Sequence, residues 1–349
     1  MLVVRIPLPT CLSVRMAVQM ASTSGEIDWN TVPSASSLVS IGTHSLHLSI
    51  SGSPRQDPRK PLIIVFPGAG DISSSWVPLS RLIAPSFRIL LYDRSGLGRS
   101  PPRPESTPTP LHVAVTAAKE LHAALDASHL APPYMLCAHS YGAIIAREFL
   151  NLWPDEVVGM TLVEGSTERQ CQFFRVPDPN IHAVMGDLSF ARVTGLREAA
   201  GRWMGREEWR ERARLIAGGV EAAGEEMGAF VEVCETLGVK RQMERRFLGE
   251  KPLSVIRSCG RADYEAIYDA GVRAGNGTLE QRKAFKELLE EWDVVDKELK
   301  EEQLKLSRNS HLVFLPDCGH NVQLTRPDVV ASEIQWVMGS IQKAGTASL

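Results

Sequence analysis

Four short apolar runs constrain this chain more than any other feature. They are PLIIVFPGAG, FRILLYD (87–93), YMLCAHS and VVGMTLVEG (157–165), and helical patterns such as LHVAVTAAKELHAAL and YGAIIAREFLNLW lie among them. Each run is continuously apolar rather than alternating, as in a strand buried on both faces. Short buried strands alternating with helices predict an α/β fold: a mostly parallel, doubly wound sheet with helices on both faces. Ahead of them LVSIGTHSLHLSISG (38–52) does alternate, and it reads as an antiparallel hairpin.

From about 166 to 250 the strand signal disappears. Amphipathic segments such as REEWRERARLIAGGVEAA and EEMGAFVEVCETLGVKRQM replace it, and then PLSVIRS (252–258) and HLVFLPD (311–317) restore it. The simplest account is a helical cap inserted into the sheet domain. The expected division is an N-terminal extension over 1–36, a first core part over 37–165, the cap over 166–250 and a second core part over 251–349. Within the cap, Phe173, Phe174, Val184, Met185, Phe190, Trp203 and Met204 either line a pocket or pack the cap, and packing is the expectation for most. A second insertion, TLEQRKAFKELLEEWDVVDKELKEEQLKL, carries Phe285, Leu288, Leu289, Trp292, Val295 and Leu299 on one face and reads as a surface helix packed on the domain, with a partner-binding face as the alternative.

The 349 residues are 44% hydrophobic and 23% charged with a formal net charge of −3, so the chain can bury a sizeable core and offers no basic footprint for nucleic acid. No apolar run is long enough to span a bilayer. Cysteines 11, 137, 171, 234, 259 and 318 form no CxxC pair and no zinc-ligand spacing. They read as free thiols of an intracellular, cytoplasmic protein. Residues 1–25 hold Arg5 and Arg15 with no acid before Glu26, which fits either a plain extension or a weak mitochondrial transit segment. Oligomeric state is not legible.

The run YMLCAHS passes straight into the helix GAIIAREFL, and Ser140 stands at the junction as Ala138-His139-Ser140-Tyr141-Gly142. A nucleophilic serine needs exposure, a base and donors for an oxyanion. A sharp strand-to-helix turn flanked by small residues supplies the first and one of the last, as in G-x-S-x-G, with Ala138 here in the first glycine position. The loop after IIVF, Pro67-Gly68-Ala69-Gly70, supplies the second donor. The expected oxyanion hole is therefore the amides of Ala69 and Tyr141.

His320, in CGHNVQLTRPD between the last strand and the last helix, is the expected base. His139 adjoins Ser140 but points away, and His44, His47, His112, His122 and His182 read as surface or packing residues. Two carboxylates compete to orient His320. Glu164 ends a buried strand, where an unpaired charge is costly. Asp263 follows PLSVIRS and can equally cap the helix that starts there. Glu164 is favoured and Asp263 stays open.

These pieces together resemble the α/β-hydrolase superfamily over roughly 37–342: PGAG after the third strand, DRSGLGRS after the fourth, AHSYG at the nucleophile and GHNVQLTRPD around the histidine. The order Ser, acid, His is also that family's. The resemblance implies the acid after strand seven, hence Asp263, in most members. In the fungal zearalenone lactonases it is a glutamate after strand six, and LVEGS is locally similar. The Phe66-Pro67 start of the oxyanion loop departs from the frequent His-Gly. The implied function is a serine hydrolase of a small-molecule ester, thioester or lactone, with catalytic Ser140, Glu164 and His320 and without metal or organic cofactor. A serine nucleophile argues against epoxide hydrolase or haloalkane dehalogenase chemistry, which uses an aspartate there. Lyase or acyltransferase chemistry on the same site, and a ligand receptor with little turnover, remain as alternatives.

Overall fold

The computed structural model describes residues 27–106 and 112–347. The reading of residues 1–25 as an extension or transit segment lies outside them. Eight strands form one sheet: β1 (Ser34–Ser40), β2 (Ser45–Ser51), β3 (Leu62–Phe66), β4 (Ile89–Asp93), β5 (Tyr134–His139), β6 (Val157–Val163), β7 (Leu253–Ser258) and β8 (Ser310–Leu315). Their spatial order is β1-β2-β4-β3-β5-β6-β7-β8. The hairpin β1–β2 pairs antiparallel within itself and with β4, and every other pairing is parallel. The hairpin begins earlier than the alternation indicated, at Ser34, and Trp29 ahead of it is already buried.

Strands β3, β4, β5 and β7 are buried along their whole length, which is why they read as unbroken apolar runs. Strand β8 is the exception. It is an edge strand with Phe314 exposed, so its apolar letters do not mark burial on both faces. Helices α2 (Val113–Ala127) and α3 (Gly142–Leu152) cover one face through Leu121, Ile144 and Phe149, while α1 (Val77–Ile83) and the C-terminal α13 (Pro327–Ala347) cover the other through Leu79, Ile334 and Val337.

Between β6 and β7 the regular elements are all helical: α4 (Pro179–Met185), α5 (Phe190–Val193), α6 (Leu196–Ala200), α7 (Arg206–Gly218), α8 (Val220–Gly228) and α9 (Phe230–Gly238), with one short 3-10 turn at Gln170–Gln172. Between β7 and β8 lie α10 (Gly260–Arg273) and the 25-residue α11 (Leu279–Gln303), and the short α12 (Val322–Thr325) precedes α13. Both insertions spring from carboxyl ends of parallel strands, the edge at which open α/β sheets bind ligands. Among the described residues no helix is long and apolar enough to cross a membrane.

Candidate active site

Strand β5 ends at His139 and α3 begins at Gly142, so Ser140 occupies a one-step reversal. Its φ is +50°, in the left-handed region that a non-glycine residue enters only when its surroundings hold it there. Its amide is tied to Val163 O at 3.1 Å. The turn also demands Gly142: a Cβ at that position would lie 2.1 Å from the carbonyl oxygen of Phe66. Ala138 is fully buried, so the methyl that replaces the usual first glycine is accommodated.

Glu164 repeats this geometry one strand over. It follows β6 directly with φ +49° and is only 3% exposed. Its Oε1 accepts a hydrogen bond from Ser258 N at 2.6 Å, and its Oε2 lies 3.1 Å from His320 Nδ1. Burial opposes its ionisation most strongly. The charge of Lys300, the contact with His320 and the Ser258 amide together outweigh that and hold the carboxyl at about 2. An ionised Glu164 accepts the proton of Nδ1, which leaves Nε2 as the acceptor nitrogen of neutral His320.

Asp263 also reaches His320, but at the backbone. Its Oδ2 accepts from His320 N at 2.8 Å. Burial raises its carboxyl against the opposing effect of that hydrogen bond. It does not cap α10: the residue at the cap is Cys259, and no side chain caps that end. The two rival carboxylates therefore converge on one histidine, one at the ring and one at the main chain.

Ser140, Glu164, His320, Ala69 and Tyr141 all line one cavity of about 370 Å³. Neither Ser140 Oγ nor His320 Nε2 has a hydrogen-bond partner among the described residues, and the backbone amides of Ala69 and Tyr141 have none either. Four groups of the right kinds thus stand unpaired around the same space. The rest of the wall is largely apolar, with Phe174, Phe190, Phe230, Tyr264, Leu288 and Trp292. Trp292 packs at ring-centroid distances of 4.7 Å from Phe174 and 4.5 Å from Tyr264. Of the apolar residues singled out between β6 and β7, Phe174, Met185 and Phe190 reach the cavity. Val184 packs with Ile267 and Phe285, Met204 packs with Leu324, Trp203 donates to Thr325 O, and Phe173 is exposed.

Two features were not foreseen. Helix α11 is not a mere surface helix, because Leu288, Trp292, Asp296, Leu299 and Lys300 face the cavity. Lys300 is 4% exposed and ion-pairs with Asp296 at 3.1 Å, and Asp296 also accepts from Arg257 Nε at 2.7 Å. The spacing Asp296-x-x-x-Lys300 was visible, but surface pairs share it. His139 is the second. Its Nε2 donates to His320 O at 3.0 Å, so the ring supports the histidine loop from below. Burial, with the neighbouring His320, pushes its pKa down to about 4 and keeps it neutral.

The comparisons agree with this fold. Residues 63–333 match the model of the alpha/beta hydrolase family, and the chain belongs to that family. It is 30% identical over 314 residues to the "Probable transporter efuK" of Hormonema carpetanum, covering 89% of this chain but only 44% of that protein. It is 28% identical over 304 residues to an "AB hydrolase superfamily protein" of Gibberella zeae, covering 84% of this chain and 91% of that one. The crystal structure of Cfl2 from Burkholderia cenocepacia superposes with a TM-score of 0.56 at 17% identity, over 87% of this chain and 96% of that one, a likeness of fold alone.

Proposed function

We propose that this protein is a serine hydrolase that cleaves a small-molecule ester, thioester or lactone through an acyl-enzyme. The observation that carries the reading is the 3.1 Å contact between Glu164 and His320 Nδ1, with Ser140 raised on a left-handed turn into the same cavity. Ser140 Oγ adds to the acyl carbon as His320 Nε2 takes its proton. Glu164 holds the ring and stabilises the imidazolium. The amides of Ala69 and Tyr141 hold the oxyanion. Collapse of the tetrahedral intermediate breaks the bond to the leaving oxygen or sulfur, which takes the proton from His320. Water, deprotonated by the same nitrogen, then hydrolyses the acyl-enzyme. A lactone yields a single hydroxy acid, an ester an acid and an alcohol.

Residues 166–250 act as a cap whose aromatic wall, completed by α10 and α11, selects an apolar and preferably aromatic substrate of moderate size. The test is an activity-based probe. A fluorophosphonate labels Ser140 in the native protein, and Ser140→Ala abolishes both labelling and hydrolysis of a panel of p-nitrophenyl esters and aryl lactones while the circular dichroism spectrum is kept. Persistent labelling or turnover in Ser140→Ala refutes the reading.

A further inference from the structure

Helix α8 is mostly solvated, yet Glu226 in its last turn is only 7% exposed. Its partner is Arg94, 4% exposed, just after β4. The pair is bidentate: Arg94 Nε donates to Glu226 Oε1, and Nη2 donates to Oε2 at 2.9 Å. A buried pair of this kind stabilises little by itself, because both charges lose their water. Its remaining hydrogen bonds show what else it holds.

All of them go to the loop around Ala69. Arg94 Nη1 donates to Pro67 O at 2.8 Å, and Nη2 donates to Gly68 O at 2.6 Å. Gly70 N donates to Glu226 Oε2 at 2.8 Å. The peptide plane that carries Gly68 O is the one that carries the Ala69 N–H. In a trans peptide the two point in opposite directions. Drawing Gly68 O toward Arg94 therefore turns the Ala69 N–H away from Arg94, and Ala69 lines the cavity. The Arg94 guanidinium also stands 6.0 Å from the ring of Tyr141, whose amide is the other donor.

Helix α8 rests on backbone here. A Cβ on Gly70 (φ +63°) would fall 2.8 Å from Ala223 Cβ, and one on Gly96 would fall 2.9 Å from Ala222 Cβ. The helix is thus seated to contact distance on both loops, and Glu226 is the point at which it grips them.

We infer that Glu226 is a positioning residue of the oxyanion apparatus: through Arg94 and Gly70 it sets the direction of the Ala69 N–H, so that seating of α8 and catalytic competence are one event. The inference rests on the Ser140 reading above. It makes the helical insertion part of the catalytic machinery as well as a wall for substrate.

The experiment compares full-length wild type with Glu226→Gln, which keeps shape and loses charge. It also uses Arg94→Lys, which keeps the charge and loses the two-carbonyl grip, so the question stays answerable if either variant fails to fold. Arg88→Met serves as a stability control. Arg88 is an equally buried arginine at the opposite end of β4, bound to the carbonyls of Trp29, Gly52 and Val32. For each protein, kcat and KM on a p-nitrophenyl ester, the melting temperature, and the affinities of an aryl trifluoromethyl ketone and its methyl ketone counterpart are measured. The trifluoromethyl ketone adds Ser140 Oγ to its carbonyl carbon and presents an oxyanion, whereas the methyl ketone stays a neutral ground-state mimic.

The expected result is a fall in kcat of about 10- to 100-fold in both site variants, since one oxyanion donor is misdirected rather than removed. KM and methyl ketone affinity stay within about twofold, trifluoromethyl ketone affinity falls in parallel with kcat, and Arg88→Met loses melting temperature but not kcat. Unchanged kcat in the site variants, or losses in them that follow melting temperature as in Arg88→Met, overturns the inference. Failure of the Ser140 reading itself looks different: Ser140→Ala then retains activity and wild type shows no preference for the trifluoromethyl ketone.

Discussion

Glu164 and Asp263 hold the same histidine by different atoms: Glu164 Oε2 lies 3.1 Å from the ring nitrogen of His320, and Asp263 Oδ2 accepts from its backbone amide at 2.8 Å. In the proposed mechanism only the first contact touches the group whose charge changes. A carboxylate at the ring stabilises the imidazolium and fixes its tautomer, whereas one at the amide fixes the loop.

The two isosteric amides separate these roles. Glu164→Gln is expected to lower kcat on the order of 10⁴-fold, as when a triad acid becomes its amide. Asp263→Asn retains an acceptor for the His320 amide. A hydrogen bond of that kind is worth about 1 kcal/mol net, so its loss of activity stays below about tenfold. Steady-state kinetics of both on one ester decides the matter. Collapse in Asp263→Asn with near-normal Glu164→Gln places the working acid after β7 instead.

The pH dependence of stability provides a second, independent check. Glu164 titrates near 2 in the fold against an ordinary value of 4.5, despite a burial that pushes the other way. Below 4.5 the unfolded chain binds the proton that the folded chain refuses. The stabilisation from ionised Glu164 is therefore complete above about pH 5 and is lost as pH falls toward 2. Lys300 is the largest of the influences that lower the value, so in Lys300→Met the loss of stability linked to Glu164 is expected to begin near the same pH but to be smaller and to end at a higher pH than in wild type. Urea midpoints at pH 7, 5, 4 and 3 for wild type, Lys300→Met and Glu164→Gln test this. The gap between wild type and Glu164→Gln narrows below pH 4.5. A gap that stays constant from pH 7 to 3 means that Glu164 is not held ionised.

The parts of the molecule legible in the sequence are those whose burial is a property of one segment. Strands β3 to β7 announce themselves because both their faces are covered, and Ser140 does so because a strand-to-helix turn has few workable sequences. The unforeseen parts depend on which segments meet. Asp296 and Lys300 read as an exposed i, i+4 pair, and only the approach of Arg257 and Glu164 allows both to be buried. Glu226 sits among exposed glutamates on α8 and nothing local sets it apart. Asp263 offers a plausible helix cap to any reader of the sequence, and the return of the chain at Gly319–His320 gives it a different partner. HLVFLPD has the letters of an interior strand and an edge position, because its outer neighbour would have to be another strand and the order ends there.

The last expectation concerns the aromatic wall. Trp292 on α11 bridges Phe174, which follows β6, and Tyr264 on α10, so three rings from three segments form one surface of the cavity. Among the described residues none of the three rings hydrogen-bonds to the Ser140 turn or to the loop around Ala69. Trp292→Ala removes a stacking partner for a substrate ring as well as two ring contacts within the protein. An aromatic pair contributes about 0.5–1.5 kcal/mol beyond its buried area, so KM for aryl esters is expected to rise roughly 2- to 10-fold. Short aliphatic esters, which do not reach the wall, change little. The rate of labelling by a small fluorophosphonate stays within about twofold, because that reagent reports on Ser140, His320 and the oxyanion donors alone. Measuring KM for a phenylacetate and a propionate ester alongside the labelling rate separates the possibilities. A parallel loss in all three measurements would show that Trp292 supports the catalytic groups themselves, and an unchanged aryl KM would remove the wall from substrate recognition.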